Sequence, residues 1–424
     1  MRILIVNTAE SAGGAAVAAN RLAAALNNNG EKATMLVRDK ATESIIVSRL
    51  PRLWIMKLRF MWERFVIFAH LLFRKQHLWE IDIACSGADI TMLREFKNAD
   101  VIHLSWINQS MLSLSDIRKI IESGKPVVWT MHDLWPATAI CHYAGDCRKF
   151  TVGCANCPLL PFGGWKNDIA SCVWKRKKRI YRQSNIWFVT CSHWLEKQAK
   201  QSALLDGMEL RAIPNPIDTN VFCPSDKTRA KESLGLPTDK NVILFVAQKV
   251  TDTRKGAAYL VEALQKLVSA GGTLADQCAV ALLGSSSEEL AQLIPMPVFP
   301  LGYVSGDREL ARVYNAADVF VLPSMQDNLP NTLMEALACG VPCVGFNVGG
   351  IPEMIDHRRN GYVARAADAG DLTYGLQWVL QEADAEELKR EALTKVAKNY
   401  SQTSVAMRYI DVYTEAMAQK RYIR

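Results

Sequence analysis

Two carboxylates, Asp327 and Glu335, stand eight positions apart, and a helix-like run begins between them. Carboxylates accept hydrogen bonds bidentately from neighbouring hydroxyls, so the pair suits a hydroxyl-rich ligand. The run Ala338 to Pro342 ends that helix and enters an apolar strand, after which come Gly349, Gly350 and Glu353. Upstream, Lys255 and Gly256 follow an apolar strand by a loop that also holds Lys249 and Arg254. A cation there can reach a diphosphate, although the same run also reads as a solvated loop. Near the start, Gly13 and Gly14 lie between a strand and a helix. Glycines let the backbone approach an anion, and a helix N-terminus offers unpaired N–H groups. The complete G-x-G-x-x-G fingerprint is absent, so the pair taken alone also reads as a plain turn.

A second constellation lies in the first half. His132 and Asp133 follow the apolar run 126–130, a place where open α/β sheets present functional loops. His132 is a candidate acid, base or hydrogen-bond donor. Asp133 either orients that ring or caps the next turn. Cys141, Cys147, Cys154 and Cys157 then fall within seventeen residues. Cys154 and Cys157 form a chelating pair; the other two do not, and His142 is a spare ligand. Structural zinc is the favoured expectation, beside free thiols, a redox pair or an iron–sulfur site.

These residues need elements to hold them. Apolar β-branched runs at 2–6, 32–37, 101–104, 126–130 and 186–190 read as buried strands separated by helices. The pattern restarts at 242–246, 279–283, 298–301, 318–322 and 343–346, with a proline-rich break near 214–220. Strands alternating with helices imply parallel sheets with crossovers. The expected fold class is therefore α/β, with two Rossmann-like doubly wound domains over 1–215 and 216–400. A terminal helix is expected over 401–424.

The chain has 424 residues, 49% hydrophobic and 22% charged, with net charge +7, as expected of an ordinary globular protein. The mild basicity is compatible with anionic substrates or an anionic surface. No recognisable module points to nucleic acid. The start MRILIVN reads as a strand rather than a signal peptide, and eleven cysteines then suit a reducing cytosol.

Residues 53–73 are almost continuously apolar and long enough to span a bilayer. Lys57, Arg59, Glu63 and Arg64 interrupt them, and each charge at a bilayer centre costs about 2.5–3.5 kcal/mol. A spanning helix is thereby rejected. On a helical wheel the charges and His70 share one half, leaving a wide face of Trp54, Phe65, Phe68 and Leu72. Two readings stay open: a core or interdomain helix, and a helix lying on a membrane surface. The basic run 174–182 reads as a solvated helix face or as a second contact for anionic headgroups.

The block Pro323 to Ile355 resembles the acidic nucleotide-sugar signature of glycosyltransferase family 4, the retaining group of two Rossmann-like domains (GT-B). The Gly13-Gly14 loop, the His132 loop, the segment Asn215 to Asp218 and Lys255 extend the resemblance over most of the chain. Residues His132 to Cys157 also look like a bacterial subgroup that builds capsular, exopolysaccharide or O-antigen repeat units. The resemblance implies a retaining, metal-independent transferase that uses a nucleoside diphosphate sugar. Its acceptor would be a polyprenyl-linked or other saccharide, and its location cytoplasmic, with the inner membrane surface as a further partner. It gives Glu335 the ribose hydroxyls, Asp327 the donor sugar near the reacting carbon, and His132 the acceptor side. Gly13, Gly14 and Lys255 fall to the donor phosphates, with Lys249 or Arg254 as second cation. The N–H groups of Leu329, Asn331 and Thr332 remain available to those phosphates, Asn328 is a further donor-binding residue, and Val304 meets the base. The last helix would return to the first domain. The pattern is broken at three places: Val250 where an arginine is usual, Asp327 where glutamate is commoner, and Pro330 where glycine is usual. Rival readings are a nucleotide-sugar epimerase of the same architecture and a non-catalytic scaffold of a polysaccharide assembly complex.

Overall fold

In the computed structural model, which describes residues 1–422, the chain divides into two compact units. One comprises Met1–Asn215 and Val405–Arg424, the other Pro216–Ser404. The expected terminal helix is observed over Gln402–Tyr422; residues 423–424 lie outside the described residues.

The first unit holds a seven-stranded parallel sheet in the order β3-β2-β1-β4-β5-β6-β7. Its strands are β1 (Arg2–Ala9), β2 (Lys32–Asp39), β3 (Val47–Arg49), β4 (Val101–Leu104), β5 (Val127–Met131), β6 (Ile186–Thr190) and β7 (Glu209–Ala212). Side chains alternate across a strand with period two. Ile3 and Ile5 of β1 therefore join one core, with α1 (Gly14–Asn28). Leu4 and Val6 join the other, with Trp129 and Phe188. Burial of both faces explains why these strands read as unbroken apolar runs. Two further helices matter below, α2 (Leu53–His70) and α3 (Ile169–Arg182).

The second unit holds a six-stranded parallel sheet in the order β10-β9-β8-β11-β12-β13. Its strands are β8 (Asn241–Lys249), β9 (Cys278–Ser285), β10 (Val298–Gly302), β11 (Val319–Leu322), β12 (Cys343–Phe346) and β13 (Gly361–Ala364). The relevant helices are α4 (Ala257–Ser269), α5 (Asp307–Asn315) and α6 (Asn331–Ala338). Ile243, Phe245, Val280, Leu282, Val319, Val321, Val344 and Phe346 form a core under α4.

The terminal helix, α7 (Gln402–Tyr422), packs on the first sheet through Val405, Tyr409, Val412, Tyr413 and Ala416. The Tyr413 hydroxyl lies 2.5 Å from His103 Nδ1, and His103 Nε2 lies 2.9 Å from Thr130 Oγ1. Burial pulls the His103 pKa down to about 3, so this link is a neutral hydrogen-bond chain. Three short edge strands escape the sequence reading: β3, β7 and β13 have only one neighbour each. Edge strands need less apolar sequence, as the partly exposed β7 shows.

Candidate functional site

In the second sheet, strand order reverses between β8 and β11, and open α/β sheets leave a crevice beyond the carboxyl ends at such a point. The loop after β8 closes with a short 3-10 turn, Thr253–Lys255, and Gly256 at φ +73°. A Cβ on Gly256 would stand 1.8 Å from the Pro323 carbonyl oxygen, so only glycine lets this loop meet the exit of β11. The closure brings Lys255 Nζ to 2.6 Å from Asp327 Oδ2, with Ser324 Oγ 3.4 Å from the same oxygen. Gly349 clamps the other side: at φ +59°, its Cβ would lie 1.6 Å from Asp327 O.

Pro330 then caps α6 without a side-chain hydrogen bond, because its ring carries no acceptor for the helix N–H groups. Asn328 and Leu329 are buried before it; Asn331 and Thr332 are half-buried in the first turn. Glu335 is one turn further and buried, and its Oε2 accepts a 2.8 Å hydrogen bond from the Tyr314 hydroxyl. The structure thus gathers Lys255, Asp327 and the start of α6 at the switch point. It turns Arg254 towards Asp252, 2.9 Å away, and leaves Lys249 exposed at the end of β8. Val304 follows β10, on the far side of β9 from β8. Sequence reasoning missed Tyr314, because a tyrosine within an amphipathic helix carries no signal of its partner.

In the first unit the order reverses between β1 and β4. Gly13 adopts φ +89° before α1, which starts at Gly14, and nothing lies within 4 Å of where its Cβ would be. Backbone conformation, not crowding, therefore favours glycine there. His132 leaves β5 with Nε2 3.0 Å from Ser105 Oγ and Nδ1 3.3 Å from Cys191 Sγ. Burial of the ring pulls its pKa down to about 4 against the opposing pull of Asp133. His132 is accordingly a neutral imidazole near pH 7. Asp133 caps the next turn, accepting from Trp135 N at 2.8 Å. It also meets His142 Nδ1 at 2.8 Å and Trp106 Nε1 at 3.0 Å. Burial lowers the His142 pKa, but the Asp133 carboxylate outweighs it and the net shift is upward.

The four clustered cysteines line one cavity of about 50 Å3 with Ile140, Phe150 and Leu159. Among the described residues, no group of three or more His, Cys, Asp or Glu side chains is placed to hold a metal ion. Burial raises the thiol pKa of Cys154 to about 12 and of Cys157 to about 11, against backbone hydrogen bonds from Ala139 and Leu159. Lys177, inside the basic run, is not solvated. It is buried with Nζ bonded to the carbonyls of Trp135 at 2.5 Å and Thr138 at 3.1 Å, and lies over the Trp135 ring. Its pKa is pulled down to about 7 by that burial.

Helix α2 inverts ordinary amphipathic logic. Its buried residues are Met56, Glu63, Arg64 and Ile67, while Trp54, Leu58, Met61, Trp62 and Phe65 are each more than half exposed. Both polar groups find partners inside: Arg64 pairs with Asp82 at 3.1 Å, and Ser110 donates to Glu63 at 2.7 Å. The core-helix reading is thereby corrected for the aromatic face. Among the described residues no helix is long and apolar enough to cross a membrane.

Known proteins bear on this geometry. Residues 12–221 match a family described as Glycosyltransferase Family 4, and residues 240–382 match one described as Glycosyl transferases group 1. Two successive segments of the chain thus match glycosyltransferase domain families. The second match contains Lys255, Asp327 and Glu335; the first contains the Gly13 loop and His132.

An uncharacterised glycosyltransferase of Methanocaldococcus jannaschii is 28% identical over 233 residues, 54% of this chain and 57% of that protein. A D-inositol 3-phosphate glycosyltransferase of Thermobispora bispora is 27% identical over 217 residues, 48% of this chain and 50% of that protein. The chain thus spans about half the length of the curated relatives it matches. Among solved structures, sucrose-phosphate synthase of Thermosynechococcus elongatus superposes with a TM-score of 0.67 at 18% identity, covering 99% of this chain and 100% of that one. Anabaena HepE in complex with UDP gives 0.63 at 15% identity, covering 98% and 100%. These likenesses show the GT-B fold.

Proposed function

We propose that this glycosyltransferase moves a sugar, with retention of configuration and without a catalytic metal, from a nucleoside diphosphate sugar to a saccharide acceptor. The observation that carries the reading is the meeting of Lys255 and Asp327 at the switch point, beside the helix that bears Glu335. Lys255 and the N–H groups of Leu329, Asn331 and Thr332 would neutralise the diphosphate as charge develops on it. Glu335 would take the ribose hydroxyls and Asp327 the donor sugar. Retention would proceed by front-face displacement. The bond from the anomeric carbon to phosphate oxygen breaks, the acceptor oxygen bonds on the same face, and its proton passes to the departing phosphate. HepE, a structural neighbour, was solved with UDP-glucose, which supports a nucleotide-sugar donor here.

The acceptor is proposed to be lipid-linked, because α2 presents an exposed aromatic face flanked by the exposed cations Arg52, Lys57, Arg74 and Lys75. That pattern suits an anionic membrane surface. A role in surface-polysaccharide synthesis at the inner face of the cytoplasmic membrane follows from this reading. The test is nucleoside diphosphate release from UDP-, GDP- and ADP-sugars, with and without membrane lipid extract, for wild type and Glu335→Ala. Release that needs both lipid and Glu335 supports the transferase. Consumption of the donor without any acceptor, with an altered sugar as product, would indicate an epimerase instead. No release and no donor binding would indicate a scaffold.

A further inference from the structure

Glu335 is a buried carboxylate whose surroundings decide which way it faces. It rises from the second turn of α6, and Tyr314 reaches it from α5, the helix that precedes β11. The Tyr314 ring is fully buried. It lies edge-on to Phe320, with centroids 5.8 Å apart, and 6.4 Å from Phe222. A tyrosine packed this way has few rotamers open to it, and its hydroxyl points where the packing directs it. That direction is Glu335 Oε2, 2.8 Å away. A hydrogen bond of that length, from a hydroxyl held by packing, restrains the side chain that accepts it.

We propose that Tyr314 is a positioning residue for donor recognition: its hydroxyl fixes the Glu335 carboxylate in the orientation that reads the two ribose hydroxyls. The proposal rests on the donor-site reading above. A carboxylate can bridge two vicinal hydroxyls only when its plane is set. A free glutamate rotates through several χ3 values, and it would surrender that freedom on each binding event. Tyr314 removes the loss in advance.

The experiment measures equilibrium binding of UDP and 2′,3′-dideoxy-UDP, with the guanosine and adenosine pairs in parallel. The proteins are wild type, Tyr314→Phe, Glu335→Gln and the double variant, each with its melting temperature. Wild type should prefer the ribo form of one base. Tyr314→Phe keeps the ring and its packing, and should weaken ribo binding roughly tenfold while leaving dideoxy binding unchanged. The preference therefore shrinks by the same factor. A merely structural role would lower the melting temperature and weaken both nucleotides alike. The double variant should lose no more preference than Glu335→Gln, because the two residues act as one unit. Should Glu335→Gln abolish the preference while Tyr314→Phe retains it whole, the Tyr314 proposal is overturned and the ribose reading survives. Should wild type and Glu335→Gln show the same preference, the ribose reading falls and the proposal with it.

Discussion

Lys255 Nζ and Asp327 Oδ2 lie 2.6 Å apart, joining the loop after β8 to the loop after β11. Seventy-two residues separate them in sequence, and the parallel sheet makes them neighbours. Both are partly exposed, so the pair contributes at most about 1 kcal/mol to stability. Its weight falls on function. Lys255→Met should lower kcat/KM for the donor about 10- to 100-fold, since hydrogen bonds to charged groups are worth about 1.5–3 kcal/mol. The melting temperature should barely move. A large fall in melting temperature with kcat/KM unchanged would make the pair structural.

His132 makes a second prediction. With its pKa near 4, the imidazole stays neutral from pH 6 to 8, and kcat/KM should show no inflection near 6.5. His132→Ala should lower kcat by about 100-fold or more at every pH in that range. An inflection near 6.5 that vanishes in this variant would show that the ring is more exposed to charge than its packing implies.

The exposed face of α2 predicts sedimentation with phosphatidylglycerol-containing vesicles, weakened by salt. Replacing Trp54, Trp62 and Phe65 together with serine should abolish binding and leave the melting temperature near wild type, because none of the three is buried. Equal sedimentation of both proteins would remove the membrane from the reading.

Glu63 ties that helix to the first unit and should tune its stability. Burial, then the nearby Asp82 charge, raises its pKa from 4.5 to about 8. The folded state therefore holds this proton more tightly than the unfolded chain does. The stabilisation is fully present below pH 4.5 and is lost as pH rises through about 8. Glu63→Gln keeps the hydrogen-bonding shape without the charge. Its melting temperature relative to wild type should climb between pH 5 and pH 8.5; a constant difference would refute the assignment.

The cysteine cavity remains a proposal of structural zinc. Four cysteines line that one space, and their side chains would have to rotate to bring the sulfurs onto an ion. Purified protein should then contain one zinc per chain, and a chelator should lower its melting temperature. Metal-free protein with all four thiols titratable overturns this.

The sequence by itself determined the local and periodic features. Unbroken apolar runs separated by helices dictated buried parallel strands. The spacing around Asp327, Pro330 and Glu335 placed a helix start between two acids, because capping and turn chemistry act over a few residues. The glycines at 256 and 349 were visible as letters. Only the fold shows that each sits where a Cβ would strike the backbone of β11's exit loop. Tertiary structure alone decided the partners. Tyr314 found Glu335, Lys255 found Asp327, and Ser105 and Cys191 came to flank His132, since each pair joins elements remote in sequence. It also reversed α2, burying Glu63 and Arg64 and exposing the aromatics. A helical wheel records which residues share a face. Which face is buried depends on partners such as Asp82 and Ser110, and the helix's own sequence does not contain them.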